Sequence, residues 1–356
     1  MNNFSLTRQD TSVMKGIAIC AMLCHHLYTC PEYIGCGIVP YHGILAWVGV
    51  LGKVCVALFL FCSGYGLSVN YSPISIKEDA KFIVRRLIKF YANYWVIFAI
   101  FVPISIFVFH RSLIIPYGED ACIPLSFFID VLGMQGDKSY NITWGFNQLI
   151  IVLYLLFPIL YHLVYKIPWI TIVILMTFIH FENSFLSPIA EFITWKFPFA
   201  LAFIMGIIWH KYENYIPKVC NWAETHKIVF ALLAIMGVCM VTLLRMYPII
   251  PHWTSINLDA MLSCSIALLV LGVIRYMPHV TSLFAYLGRH SMNIYMTHTF
   301  INAYWYPEWL HTSEWLRGGG NFVVLMTICL VISIGIEFFK EKIRLYELVN
   351  NITKRI

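Results

Sequence analysis

Charged side chains are scarce in this 356-residue chain: Asp, Glu, Lys and Arg make up 12% of it, about half the roughly 25% of a soluble globular domain. Eighteen acidic and 24 basic groups cannot clothe the core that a 60% hydrophobic chain would build, which excludes a soluble protein. Paired cysteine motifs are missing too. None of the eleven cysteines stands in a CxxC pair, so no zinc or dithiol centre is expected and no metal site is assigned. A small-x-small cleavage site is lacking at the N-terminus, so the first apolar run is expected to be a retained helix and not a cleaved signal. No repeat of 20 to 50 residues and no low-complexity linker breaks the chain, so residues 1–356 read as a single domain. The net charge of +6 does not describe a nucleic-acid surface, because the basic residues punctuate apolar runs and do not cluster on a water-facing stripe.

Long apolar runs are what the chain has. Hydropathy places spans at 15–33, 44–69, 90–110, 145–165, 168–183, 195–210, 228–247, 256–275, 282–303 and 321–339, each near the roughly 20 residues needed to cross a bilayer. The fold expected is therefore all-α, a polytopic membrane protein of about ten helices with a short C-terminal tail over 340–356. Seventeen basic residues fall on the side of the termini, among them Arg8, Lys15, Lys81, Arg85, Arg86, Lys89, Arg275 and Lys340. Five fall on the other side: Arg111, Lys138, Lys196, Arg245 and Arg317. By the positive-inside rule both termini are cytoplasmic, in a multi-pass protein of the cell membrane. The apolar stretch 122–133 is too short to span and reads as a re-entrant or interfacial piece of the outer loop. Cys30, Cys36 and Cys122 fall toward the outer side and leave room for one disulfide without assigning it.

An ionisable side chain within a span needs a reason, and the default is a site or a water-filled cavity. In the first span Lys15 and His26 are 11 positions apart, which puts them about 20° from the same helical face and roughly 16 Å apart along the axis. His25 points about 80° away. Imidazole is the common general base near neutral pH; the plainer reading is that each histidine bonds a carbonyl of a neighbouring helix. Lys81, Arg85 and Lys89 share a face ahead of the third span, with Arg86 beside them. They suit phosphates, or they serve topology and anionic lipid alone. Ser63, Gly64 and Gly66 end the second span, where a glycine admits either a ligand or a packed helix. In the ninth span Ser291, Tyr295 and His298 form a polar stripe at i, i+4 and i+7. Arg289 and Asp259 each need a partner.

Taken in order, these features resemble one family, the membrane-bound acyltransferases of acyltransferase family 3, which modify cell-surface sugars. The matching residues are Lys15 with His26, the run Phe59 to Tyr65 ending in Ser63-Gly64-Tyr65, Arg86 with Lys89, Trp144 with Tyr154 and Pro158, and Leu287-Gly288 followed by Ser291, Tyr295 and His298. The likeness covers residues from about 10 to about 340. Lys15 and Lys89 stand where arginine is usual. Asn147 and Gln148 lie where some members carry an acidic residue, and no fused extracytoplasmic hydrolase-like domain is expected.

The resemblance implies transfer of an acyl group, acetyl in the simplest case, from cytoplasmic acyl-CoA to a hydroxyl of an extracytoplasmic carbohydrate or related cell-envelope acceptor. No permanently bound cofactor is implied; acyl-CoA is the donor substrate, and membrane lipid is the surrounding partner. His26 or His25 would be the catalytic base. Lys15, Arg85, Arg86, Lys89, Ser63 and Gly64 would hold the donor, and Ser291, Tyr295, His298 and Trp144 would line the acceptor side. A covalent acyl-imidazole is the alternative chemistry. The alternative function is a secondary transporter or exporter of a lipid-linked glycan or small molecule, whose mark is a pair of interrupted spans in corresponding halves; no such pair is evident.

Overall fold

The computed structural model describes residues 4–29, 41–72, 75–169, 171–172, 199–213, 217–247, 252–313, 316 and 318–356. Helix α1 (Arg8–Tyr28) starts in a reciprocal cap. Thr7 N–H donates to Asp10 Oδ2 at 2.7 Å and Asp10 N–H to Thr7 Oγ1 at 3.2 Å, which satisfies donors that a first helical turn leaves unpaired. Next come α2 (Ile44–Gly52) and α3 (Val54–Val69), broken at Lys53. Helix α4 (Ile76–Phe107) is capped by Ser75, whose hydroxyl accepts from Glu78 N–H at 3.3 Å. Its 32 residues extend about 48 Å against roughly 30 Å of hydrocarbon, so its charged first turns run outside the apolar layer. Short α5 (Ile114–Tyr117) and α6 (Ile123–Val131) follow, and a 3-10 turn at Ile142–Trp144 leads into α7 (Gly145–Lys166). The chain continues through α8 (Ala200–Tyr212), α9 (Pro217–Thr225), α10 (Lys227–Met246), α11 (His252–Gly272) and α12 (Pro278–Thr299). A π-helical turn over Phe300–Trp305 extends α12; α13 (Pro307–Thr312), α14 (Gly320–Lys342) and α15 (Leu345–Arg355) complete the chain. No strand occurs among the described residues.

Six stretches are long and apolar enough to cross a membrane: Ile44–Val69, Ile76–Phe107, Ile142–Lys166, Lys227–Met246, Asn257–Tyr276 and Gly320–Lys342. The chain is thus all-helical with multiple membrane-crossing helices. The first and ninth expected spans are the helices α1 and α12, whose charged and histidine residues dilute their apolar character. The sixth is the 13-residue α8, and the fifth, at 168–183, lies almost wholly outside the described residues. The stretch 122–133 holds the nine-residue α6, about 13 Å long at 1.5 Å per residue and too short to span.

The chain divides into two compact units, one of Met1–Met22, Leu51–Ser72 and Leu156–Arg289, the other of Leu23–Val50, Pro73–Leu155 and His290–Ile356. Close helix contact through small residues builds the first unit. A Cβ on Gly64 would lie 2.0 Å from Phe203 O, and one on Gly206 2.2 Å from Phe61 O, so α3 and α8 meet backbone to backbone. The beginnings of α1 and α12 do the same: a Cβ on Gly16 would lie 2.0 Å from Phe284 O, and one on Gly288 1.8 Å from Ser12 O. Asp259 finds its partner here in Arg245, which donates to both carboxylate oxygens with both side chains buried. Arg245, counted by hydropathy among the outer basic residues, is thus a buried half of an ion pair. Arg289 is exposed, with its guanidinium over the Tyr286 ring.

In the second unit, aromatic packing and buried polar networks set the core. Trp144 is buried against Tyr94, Phe98 and Phe300 at ring-centroid distances of 5.2, 5.5 and 5.8 Å. Lys340, counted by hydropathy as a tail cation, is instead 1% exposed. Its Nζ donates to Asn93 Oδ1 and Asn293 Oδ1 at 2.8 Å each and to Glu337 Oε1 at 3.0 Å, three oxygens that meet the requirement of a buried ammonium. Near the end of α6, the buried Asp130 accepts from Ser139 Oγ at 2.5 Å, Tyr140 N–H at 2.6 Å and Tyr117 OH at 2.9 Å. Burial still holds its carboxyl above the usual range, those hydrogen bonds and Arg111 offsetting only part of the effect.

Candidate functional site

Three histidines converge in the second unit. The rings of His25 and His26, in the last turn of α1, lie 5.3 Å apart between centroids, and the His26 ring lies 5.0 Å from that of His298 on α12. Their surroundings differ. His25 Nδ1 is 2.9 Å from Gly49 O on α2, which makes Nδ1 the protonated nitrogen, because a carbonyl only accepts. His298 is fully buried. Its Nδ1 donates to Tyr295 O at 2.8 Å, with Ile294 O at 3.2 Å, and its Nε2 faces Thr299 Oγ1 at 3.2 Å. His26 is partly exposed, and among the described residues neither of its ring nitrogens has a hydrogen bond. Its backbone is fixed all the same, since Asn302 Nδ2 donates to His26 O at 3.2 Å.

That anchor on His26 O is the end of a directed chain. His311, also fully buried, has Nε2 2.8 Å from Asn302 Oδ1 and Nδ1 3.3 Å from Tyr41 OH. Tyr41 OH accepts from Asn321 Nδ2 at 2.9 Å, and Asn321 Oδ1 accepts from Tyr28 OH at 3.1 Å. Each donor meets an acceptor if His311 is neutral with its proton on Nε2. The network holds both the end of α1 and the π turn that carries Asn302. Single π turns of this kind recur at functional sites.

On the other side of His298, hydroxyls continue the contacts. Thr299 Oγ1 is 3.0 Å from Thr143 Oγ1, which donates to Asn141 Oδ1 at 2.8 Å. Tyr295 OH donates to Thr143 O at 2.6 Å and lies 3.3 Å from the Asn147 amide. Ser291 is buried two turns back along α12. Trp144 joins this cluster through its frame only: its indole N–H donates to Met296 O at 3.0 Å, which commits its single polar atom and ties the start of α7 to α12.

The basic residues of α4 divide by partner. Arg86 approaches Tyr154 of α7, its Nη2 3.5 Å from the hydroxyl and its guanidinium 5.3 Å from the ring centroid, so two of the sequence motifs meet. Arg85 Nε donates to Thr353 O of α15 at 3.1 Å. Lys89 is exposed, and Lys81 lies 3.4 Å from Glu78. Lys15, Ser63 and Gly64 belong to the first unit. Lys15 is on α1 within electrostatic reach of Cys62, Ser63 is partly buried on α3, and Gly64 is occupied by the contact with α8.

Sequence reasoning passed over Asn93, Asn141, Thr143, Asn293, Asn302 and His311. The usable signal was an amide or histidine inside an apolar run, the same cost that drew attention to His25 and His26. A family model described as an acyltransferase domain matches residues 10–338. No curated protein and no solved structure matches the chain.

Proposed function

The chain belongs to the acyltransferase 3 family, and from that premise we propose that this membrane acyltransferase moves an acyl group, acetyl in the simplest case, from acyl-CoA to a carbohydrate hydroxyl, with His26 as general base. The observation that supports His26 is its contrast with its neighbours. His25 and His298 spend ring nitrogens on backbone carbonyls, whereas among the described residues neither nitrogen of the His26 ring is so committed. A general base must bring a free lone pair within reach of the proton it takes.

In the reaction, the acceptor oxygen attacks the thioester carbonyl carbon while His26 takes the hydroxyl proton. The C–S bond then breaks, the sulfur leaves as thiolate, and His26 returns the proton to it, so that an ester and free CoA thiol are formed. His298 packs against the His26 ring, and the chain through Asn302 and His311 fixes the backbone from which that ring projects. Arg85, Arg86 and Lys89 take the donor phosphates and amides, with the Arg86 fork held against Tyr154. Lys15, Ser63 and Gly64 are proposed for the donor on the family motif alone. Ser291, Tyr295 and the Thr143 and Thr299 hydroxyls serve the acceptor side.

Both termini are proposed to be cytoplasmic. With Lys340 and Arg245 set aside as buried, sixteen basic residues stand against four, which supports a cytoplasmic α4 basic stretch, on the side where a nucleotide donor is made. The 1–356 chain is taken as one domain, since divisions between the two compact units fall inside α1, α2, α7 and α12. Full-length protein in nanodiscs with radiolabelled acetyl-CoA and a panel of envelope glycans tests the proposal. Label transferred to at least one glycan is the expected result; no transfer and no CoA binding would overturn it.

A further inference from the structure

The second unit contains a cavity of about 530 Å3 that the roles above do not use, within the range of small-ligand sites. Its lining mixes the polar side chains of Arg111, Asp137, Ser139 and Tyr304, beside His110, with the apolar Ile115 and Pro116. Arg111 is fixed in place. Its guanidinium carbon lies 3.7 Å from the Tyr304 ring centroid and 4.5 Å from that of Tyr140, and Nη1 donates to Tyr140 O at 2.5 Å. A guanidinium has five N–H donors, so donors remain for a ligand. Asp137 supplies an exposed carboxylate on a 3-10 turn. Ile115 is 68% exposed, an apolar surface at a polar mouth.

The cavity also adjoins the histidine cluster. Ile142, one of its lining residues, donates its backbone N–H to Tyr304 OH at 3.1 Å. The next residue, Thr143, begins the hydroxyl contacts to Thr299 and His298.

We propose that this cavity is the acceptor subsite and that it takes an uncharged pyranose. Such a ring has a hydroxyl rim and an apolar C–H face. The rim bridges the donor Arg111 and the acceptor Asp137, and the C–H face lies on Ile115 and Pro116. The opposed charges of Arg111 and Asp137 disfavour ionic sugars, because a uronate or phosphate would face the Asp137 carboxylate and an amino sugar the Arg111 guanidinium. This deepens the acyl-transfer reading and rests on it.

The test uses full-length protein in nanodiscs, acetyl-CoA, and matched panels of neutral hexose or N-acetylhexosamine oligosaccharides and their uronate counterparts. Asp137→Asn and Ile115→Asn are compared with wild type; both positions are exposed, so the fold is retained. Neutral oligosaccharides are expected to be the better acceptors. Each substitution is expected to raise the acceptor KM about tenfold, the effect of losing one good polar or apolar contact, while the KM for acetyl-CoA changes less than twofold. Transfer by wild type with unchanged acceptor KM in both variants would overturn the subsite and leave the acyl-transfer reading intact. A tenfold preference for uronates would overturn the choice of ligand class. No transfer by wild type to any acceptor would overturn the acyl-transfer reading and the subsite with it.

Discussion

Replacing Gly288 by alanine drives a methyl group into the backbone of α1. The added Cβ would sit 1.8 Å from Ser12 O and 3.1 Å from Gly16 N, whereas ordinary contact begins at 3.4 Å. The obstacle is main chain and cannot rotate away, so the helices must separate by about 1.6 Å. Overpacking of this kind costs about 1–3 kcal/mol. Ten residues further along each continuous helix stand His26 and His298, whose rings meet at 5.0 Å. A displacement near 1 Å in reacting groups lowers turnover about a hundredfold. Gly288→Ala is therefore expected to lower both the thermal midpoint and kcat. Gly66→Ala and Gly335→Ala are the controls, since a Cβ at either meets nothing within 4 Å. Each should be neutral or stabilising by up to about 1 kcal/mol through helix propensity. Thermal unfolding and acetyl transfer, measured on all three in the same nanodiscs, give the comparison. Wild-type stability and turnover in Gly288→Ala would refute the close-packed contact and its link to the histidines.

Other substitutions probe single interactions. Arg245→Met should destabilise by about 3–5 kcal/mol by stranding the buried Asp259, and adding Asp259→Leu should recover most of the loss; equal stability in the single and double variants would contradict the pairing. Asp130 has a raised carboxyl in the folded state, so its contribution to stability is fully present below its unfolded pKa and is lost as pH rises through the folded value. Asp130→Asn should flatten that part of the stability profile above the usual carboxylate range, and an unchanged slope would count against it. Arg86→Ala should raise the KM for acetyl-CoA about tenfold to a hundredfold, with Arg86→Lys in between because the planar fork is lost. An unaltered donor KM would return Arg86 to topology or lipid contact.

The helical class and the cost of the histidine turn were legible in composition and hydropathy, because burial of apolar length and charge are local properties. The rotation of 100° per residue separates His25 from His26, and the structure gives the two rings different neighbours, Gly49 and His298. Pairings were not legible. Asp259 and Arg289 each needed a partner that the sequence did not name; Asp259 finds Arg245 through the packing of α10 on α11. Lys340 read as a tail cation because hydropathy treats each helix alone; its burial depends on Asn93 and Asn293, brought from two other helices. The edges of α4 escaped for a related reason. A membrane window detects its apolar half, while Ser75 and Glu78 start the helix 14 residues before the span begins. The π turn at Phe300–Trp305 has no residue pattern of its own and emerges only from its tertiary contacts with Trp144 and Phe101.

The role of His26 is tested most directly by single-turnover acetyl transfer with His26→Ala and His25→Ala side by side, each shown by thermal unfolding to keep the wild-type fold. His26→Ala should lose transfer by at least a hundredfold while still binding CoA, and His25→Ala should retain transfer, weakened only as far as loss of the Gly49 contact loosens the end of α1. Full transfer by a folded His26→Ala, with loss in His25→Ala, would contradict the assignment of His26 as the base.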